Sequence, residues 1–223
     1  MGALAFSALL VAGAGFYLFS KALPNFRPGN KKIQRDLQEM KQKVNEEMRG
    51  KLIPLNKDDL ELLSTQEAQH SSRKRITRNS SGVFTSIFEE HMFAYAFRRY
   101  LSNRRDALLY AATQRRDFHY WIKGEEVRIV IDDQPLGTYR AGVLTGSRSD
   151  KPIAQIDFSK QEGYPIRIQD RTVANLSTRY DQPNDGVSQR AFEFVANELS
   201  PEEEAILIAL TIYELVNSRV KEE

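Results

Sequence analysis

The chain has 223 residues and no cysteine, which excludes disulfides, thiol catalysis, Cys-ligated zinc, iron–sulfur clusters and S-palmitoylation together. Thirty-two Lys and Arg against 30 Asp and Glu leave a net charge of +2, with 28% of residues charged. That is the balance of an ordinary soluble domain, and the length gives room for one such domain plus a connector.

The first element is an apolar run. Nineteen uncharged residues, Gly2 to Ser20, precede Lys21, and at 1.5 Å per residue they reach roughly 28 Å, about the thickness of a bilayer's hydrocarbon layer. Phe16, Tyr17 and Phe19 cluster at its C-terminal end, where an interfacial aromatic belt sits. An uncleaved single-pass anchor is the expectation. A cleaved signal peptide and a buried helix stay open, although no Lys or Arg precedes residue 21. Lys21, Arg27, Lys31, Lys32 and Arg35 all lie C-terminal to the run, so the positive-inside rule puts the bulk of the chain in the cytoplasm. The myristoylation pattern fails at Phe6.

Pro24, Pro28 and Gly29 punctuate the exit from this run, and a charged helix is expected over 31–49. Ile33, Leu37, Met40, Val44 and Met48 form one narrow apolar stripe on it, a candidate seam for a partner helix or a second copy of the chain. The same stripe can instead lie on the chain's own domain or on the bilayer surface. Gly50 ends this helix, and Asn56 N-caps a short one across KDDLELLSTQEAQ. Residues 70–82, HSSRKRITRNSSG, read as a basic, Ser-rich linker.

From Gly82 the chain turns rich in Val, Ile, Tyr and Phe. VFTSIFEEHMFAYAFRRYL mixes strand-like and helix-tolerant residues. DALLYAAT, RDFHYWIKG, EEVRIVIDD, LGTYRAGVLTG, KPIAQIDFS, YPIRIQD and RTVANLSTRY read as successive strands, eight or nine in all. The last helix starts at Ser200-Pro201-Glu202-Glu203, with an N-cap serine, proline at the first helical position and Glu203 completing a capping box. Ile206 to Val216 then leave almost no polar face, so this helix is expected to be enclosed on every side. Together these elements make the fold class α+β, with an N-terminal transmembrane helix, an amphipathic linker helix, and an antiparallel β-meander or barrel-like sheet packed around a hydrophobic C-terminal helix. The expected organisation is anchor 1–23, helical connector and linker 24–81, and β-rich domain 82–223.

One internal echo is present. Ile129–Tyr139 aligns without gaps on Ile166–Leu176 at an offset of 37. Each unit is an alternating strand, an Asp at the turn (Asp133, Asp170), then a small and an apolar residue on the return strand. Two such hairpins and a terminal apolar helix resemble the tubby-like β-barrel group, which includes the LURP-one-related and phospholipid-scramblase-like proteins. The resemblance covers about 82–220. It implies a barrel of about twelve strands wrapped around the C-terminal helix, with Asp133 and Asp170 at turns and Ile206–Val216 as the core helix.

No catalytic, cofactor or metal pattern is found. His70, His91 and His119 share no ligand spacing, and neither a phosphate loop nor a nucleophile elbow occurs. The charge is uneven, however. Between Arg73 and Lys123 lie eleven Lys or Arg and four Asp or Glu. The arginines are paired as Arg98-Arg99, Arg104-Arg105 and Arg115-Arg116. These six are the candidate contact with anionic lipid or an acidic protein partner; internal pairing with the acidic C-terminal helix is the alternative. Nucleic acid is not an expected partner, because His119, Tyr120 and Trp121 read as a strand packing on a core. The function expected is that of a membrane-tethered, non-enzymatic binding or scaffold domain at the cytoplasmic face. A structural subunit of a larger membrane complex is the second reading, and an enzyme with a pocket inside the sheet the third.

Overall fold

The computed structural model describes residues 28–74, 78–101, 106–149, 151–177 and 189–222. The expected anchor lies outside them. Among the described residues, no helix is long and apolar enough to cross a membrane.

Helix α1 (Asn30–Glu47) leads through a 3-10 turn (Arg49–Lys51) to a single helical turn, α2 (Lys57–Leu60). Twelve strands come next: β1 (Leu63–Lys74), β2 (Arg78–Ser86), β3 (His91–Arg99), β4 (Ala107–Ala112), β5 (Asp117–Lys123), β6 (Glu126–Ile131), β7 (Gln134–Arg140), β8 (Val143–Gly146), β9 (Pro152–Ile156), β10 (Tyr164–Ile168), β11 (Arg171–Leu176) and β12 (Phe192–Val195). They form one antiparallel sheet in strictly sequential order. Its two ends nearly meet. Ser64 bridges Arg190, and this contact is flanked by hydrogen bonds from the Thr65 N–H to the Gln189 carbonyl (2.9 Å) and from the Ala191 N–H to the Leu63 carbonyl (2.7 Å). The sheet is thus a nearly closed barrel, which removes most of the exposed strand edge.

Helix α3 (Pro201–Glu222) fills the interior. Every residue from Ala205 to Val216 is buried, and Leu207, Leu210 and Leu215 have no exposed surface. The capping box forms as expected: the Glu203 N–H donates to Ser200 Oγ (3.2 Å) and the Ser200 N–H to Glu203 Oε2 (2.7 Å). The polar groups of the enclosed segment find partners locally. Thr211 Oγ1 donates back to the Leu207 carbonyl (2.8 Å), and the Tyr120 hydroxyl donates to the Ala209 carbonyl from the wall (2.8 Å).

The wall has two kinds of strand. Strands β5 to β7 and β9 to β10 largely alternate buried and exposed positions. Strands β2, β3 and β4 are buried on both faces. Phe93, Tyr95, Phe97, Leu109 and Ala111 point to the inner core, whereas Ala94, Ala96, Leu108, Tyr110 and Ala112 point outward and are covered by α1. This is where the apolar stripe of α1 lies. Ile33, Met40, Val44 and Met48 are buried in this outer cluster and Leu37 is packed against it. The stripe therefore meets this chain's own barrel, not a partner helix. Small residues at 94, 96 and 112 let the helix come close. Two polar clusters bolt it down, one around buried Asp36 and one around half-buried Asp117. Asp36 pairs with Arg98 (2.7 Å) and Lys32 (3.1 Å) and accepts from the Tyr100 hydroxyl (2.7 Å). Asp117 pairs with Lys41 (2.5 Å) and Arg49 (2.7 Å) and accepts from Tyr110 (3.1 Å).

Four sequence expectations are corrected. The sheet starts at Leu63, so the boundary drawn at Gly82 falls inside β2, and the expected linker 70–82 is largely the β1–β2 hairpin. Its outer half is polar because residues 69–73 are exposed. The helix expected across KDDLELLSTQEAQ stops at Leu60, and STQEAQ belongs to β1. LGTYRAGVLTG is two strands, divided by a tight turn at Ala141 (φ 46°) and Gly142 (φ 84°). With β12 the count is twelve rather than eight or nine.

The internal echo persists in three dimensions. In β6–β7 the cross-strand pairs are 127–139, 128–138, 129–137, 130–135 and 131–134. In β10–β11 they are 164–176, 165–175, 166–174, 167–172 and 168–171. Each hairpin is the other displaced by 37, including the bulge that leaves Leu136 and Val173 unpaired. The turns open on left-handed residues, Asp132 (φ 48°) and Gln169 (φ 55°), as two-residue hairpins require.

Candidate functional site at the barrel mouth

The register divides the loops between two ends of the barrel. One end, the mouth, carries the turns 124–125, 141–142 and 157–163 and the C-terminus of α3. The other, the base, carries the turns 113–116, 132–133 and 169–170 and the N-terminus of α3. Lys123, Arg140, Lys160 and Lys221 lie at the mouth together with Glu125, Glu126, Asp157 and Glu162. Asp58, Asp59, Asp132, Asp133, Asp170, Glu202 and Glu204 lie at the base together with Lys57, Arg115, Arg116 and Arg171.

The arginine pairs do not form one patch. Arg98 is held by Asp36 and Glu39 (3.1 Å) beneath α1. Arg99 turns inward at the mouth, where its guanidinium lies 5.6 Å from the Phe97 ring and donates to the Val220 carbonyl (3.4 Å). Arg104 and Arg105 are outside the described residues. Arg115 and Arg116 sit at the base, reaching Asn56 (3.5 Å) and Asp132 (3.5 Å). The sequence brought these six together; the antiparallel register of β3, β4 and β5 sends Arg98–Arg99 and Arg115–Arg116 to opposite ends.

The mouth opens into a cleft of about 870 Å³ between the last turns of α3 and the rim of β3, β4, β5 and β7. That volume is within the ~300–1,000 Å³ range of small-molecule sites. Phe97, Tyr139, Phe158 and Tyr213 line it, together with Arg99, Glu125, Glu214 and Lys221. Glu214 is the deep polar group. Only 6% exposed, it accepts a 2.6 Å hydrogen bond from the buried Tyr139 hydroxyl. The Tyr139 and Tyr213 rings meet edge to face at 5.5 Å, and Tyr213 stacks on Tyr120 at 6.0 Å. Burial, reinforced by the Glu214 charge, pushes the Tyr213 phenol well above its ordinary range, so it stays neutral at any physiological pH. Phe158 is 39% exposed at the lip and packs on Tyr164.

The sequence reading missed this cleft. Its one signal was Glu214, a lone carboxylate within an otherwise apolar stretch of α3. Among the described residues, no reacting constellation accompanies it. His70 contacts Glu67 (2.8 Å), His119 packs on Tyr110 (5.4 Å) and His91 begins β3, so the three histidines stay apart. Among the described residues, no group of His, Asp or Glu has metal-binding geometry. What the arrangement can do is bind. It offers aromatic faces, one deep carboxylate and basic side chains at the rim.

No known protein family, characterised protein or solved structure matches the chain.

Proposed function

We propose that this chain is a membrane-tethered, non-enzymatic binding module whose barrel mouth faces the bilayer on the cytoplasmic side, where its basic rim contacts anionic lipid. One observation carries the reading: the direction of α1. Its N-terminal half is fixed to the mouth end of the wall through Asp36, Arg98 and Tyr100. Its C-terminal half is fixed to the base, where Arg49 reaches Asp117 and the Gln114 carbonyl. Chain arriving from residues 1–27 therefore arrives at the mouth. Nine residues, 21–29, separate the apolar run from α1, and fully extended they reach at most ~32 Å.

Basic groups near an anionic surface contribute about 1 kcal/mol each, and exposed Lys123, Lys160 and Lys221 are the mouth groups available for that contact. Kinship with the tubby-like group belongs to the same proposal and stands on the paired hairpins and the enclosed helix.

The absence of cysteine allows a clean test. An environment-sensitive dye on a cysteine placed at Lys160, in the full chain reconstituted into liposomes, shifts to the blue when phosphatidylserine is included, and high salt reverses the shift. An emission indifferent to lipid charge and salt overturns the lipid contact.

A further inference from the structure

A second hollow, of about 440 Å³, opens on the outer wall between the flank of α1 and strands β1, β2 and β3. Its floor is two cross-strand rows on one face of the sheet. The first is Ser71, Ser81 and Ala96, and the second is Arg73, Asn79 and Arg98. The small side chains of the first row keep the space open beside Met40. Glu39 and Lys43 stand over it from α1. They are four residues apart, a spacing at which opposite charges can pair. Here they do not: Glu39 goes to Arg98 (3.1 Å) and Arg35 (3.8 Å), and Lys43 Nζ donates to Ser81 Oγ (2.9 Å). Among the described residues, neither Lys43 nor exposed Arg73 has a carboxylate partner. Arg98 is neutralised by Asp36 and Glu39. Its Nε is nevertheless buried with no partner among the described residues, and so is Asn79 Oδ1. Turned about χ2, the Asn79 amide presents its Nδ2 donors instead.

We propose that this hollow binds the terminal phosphate of a phosphate monoester, with Lys43 and Arg73 as countercharges and Ser71, Ser81 and Asn79 as hydrogen-bond donors. The charge matches. A phosphate monoester carries about −1.5 to −2 at pH 7, and two cations without carboxylate partners balance it. The directions match as well: Lys43 approaches from the helix, Arg73 from β1, and the hydroxyls and the amide from the floor. Three phosphate oxygens can each meet a donor, and charge-assisted bonds of this kind are the strong ones. A phosphate alone leaves much of the volume unfilled, so Met40 and Ala96 offer an apolar surface to the body of the ester. Such a phosphate is common to soluble esters and to a lipid whose headgroup is a bare phosphate. The site lies outside the mouth cleft and does not depend on which end of the barrel faces the bilayer.

The experiment is a phosphorus NMR titration of glycerol phosphate with the full chain in maltoside micelles, which contain no phosphate. Line broadening on binding is expected, and malonate, a dianion without phosphorus, should displace the ester only at ~10-fold higher concentration or more. Lys43→Gln keeps a donor for Ser81 Oγ, and Arg73→Gln changes an exposed position, so both retain the fold. Each is expected to weaken binding at least ~10-fold. Lys51→Gln, an exposed cation beyond the end of α1, should leave it unchanged. Absent broadening overturns the assignment. So does malonate competing as well as the ester, indifference to both substitutions in the hollow, or an equal loss in Lys51→Gln. Lipids added to the micelles then separate the sources. Displacement of glycerol phosphate by phosphatidic acid, and not by the diester phosphatidylglycerol, supports a lipid-borne phosphate. No displacement by either overturns the lipid and leaves a soluble ester, and displacement by both overturns the preference for a monoester. Lost ester binding with an intact dye response at residue 160 removes this assignment alone; the reverse pattern removes the bilayer-facing orientation alone.

Discussion

The wall of the barrel under α1 and the uncovered wall obey different rules. Away from α1, strands such as β6 keep Val127, Ile129 and Ile131 inside and leave Glu126 and Arg128 exposed. Beneath α1 both faces are dry, because the helix covers what would otherwise be the wet side. Two strand environments thus coexist in one sheet, and only one of them produces alternation in the sequence. The covered wall is also where the connector ceases to be a connector, because α1 is part of the domain.

The most severe way to break this contrast is to cut a bolt. Asp36→Ala takes the buried carboxylate from half-buried Arg98 and Lys32 and from the buried Tyr100 hydroxyl; Arg98 keeps Glu39, so the loss is expected near the low end of the about 3–5 kcal/mol that breaking a buried pair costs. Denaturant unfolding should show that loss, with hydrogen exchange in α1 rising before that in α3. A smaller step is Met40→Ala in the stripe, where truncating a buried side chain costs about 2–5 kcal/mol, nearest the low end at a helix–sheet surface able to resettle. The same urea titration on Arg128→Ala, on the open wall, should stay within about 0.5 kcal/mol. Equal losses at 40 and 128 would mean that α1 is not docked as described.

Acid sharpens the comparison, because the titrating groups cluster under the helix. Burial alone would raise the Asp117 carboxyl, but the hydrogen bond from Lys41 and the charges of Arg49 and Lys41 outweigh it and hold the group below its ordinary range. A carboxyl depressed in the folded state contributes stability that is complete above the unfolded pKa near ~3.9 and lost as pH falls through the lower folded value. Asp117→Asn should therefore flatten the most acidic limb of a stability–pH curve. His119 acts earlier. Burial, with Lys41 adding to it, lowers its pKa against the pull of Asp133, Asp117 and Asp132. Below the unfolded value near ~6.5 the unfolded chain takes up a proton the folded one resists, so stability declines from there until the folded pKa is passed. In His119→Phe, thermal melts between pH 8 and 5 should lose that decline, while melts below pH 4 keep the Asp117 limb. Tyr100 supplies no titration here: burial, then its hydrogen bond to Asp36, hold the phenol neutral far above its ordinary pKa.

Legibility in the sequence divides along the same line. The open wall was legible because its strands alternate, and the 129–139 and 166–176 segments were legible as matching hairpins; the bulge they share shows only in the strand register. The enclosed helix was legible because residues 206–216 have no wet face. The covered wall was ambiguous for a physical reason: MFAYAF is apolar at every position because α1 dries its outer face, and period two disappears. The polar half of β1 resembled a linker because it is wet on both sides. The arginine pairs looked like one patch because adjacency in sequence hides which end of a barrel each turn occupies. The cleft was hidden because its parts come from β3, β7, the 157–163 turn and α3, and no local window contains more than a fragment of it.

The proposed role depends on which end of the barrel is held toward lipid. A donor dye on a cysteine at Lys160, compared with one at Asp133, can be measured against acceptor-labelled lipid in liposomes carrying the full chain. A strand of seven residues separates the two ends by about 23 Å, a gap that energy transfer resolves. Strong transfer from 160 and weak transfer from 133 is the result predicted; equal transfer, or the stronger signal from 133, would contradict the orientation that α1 imposes.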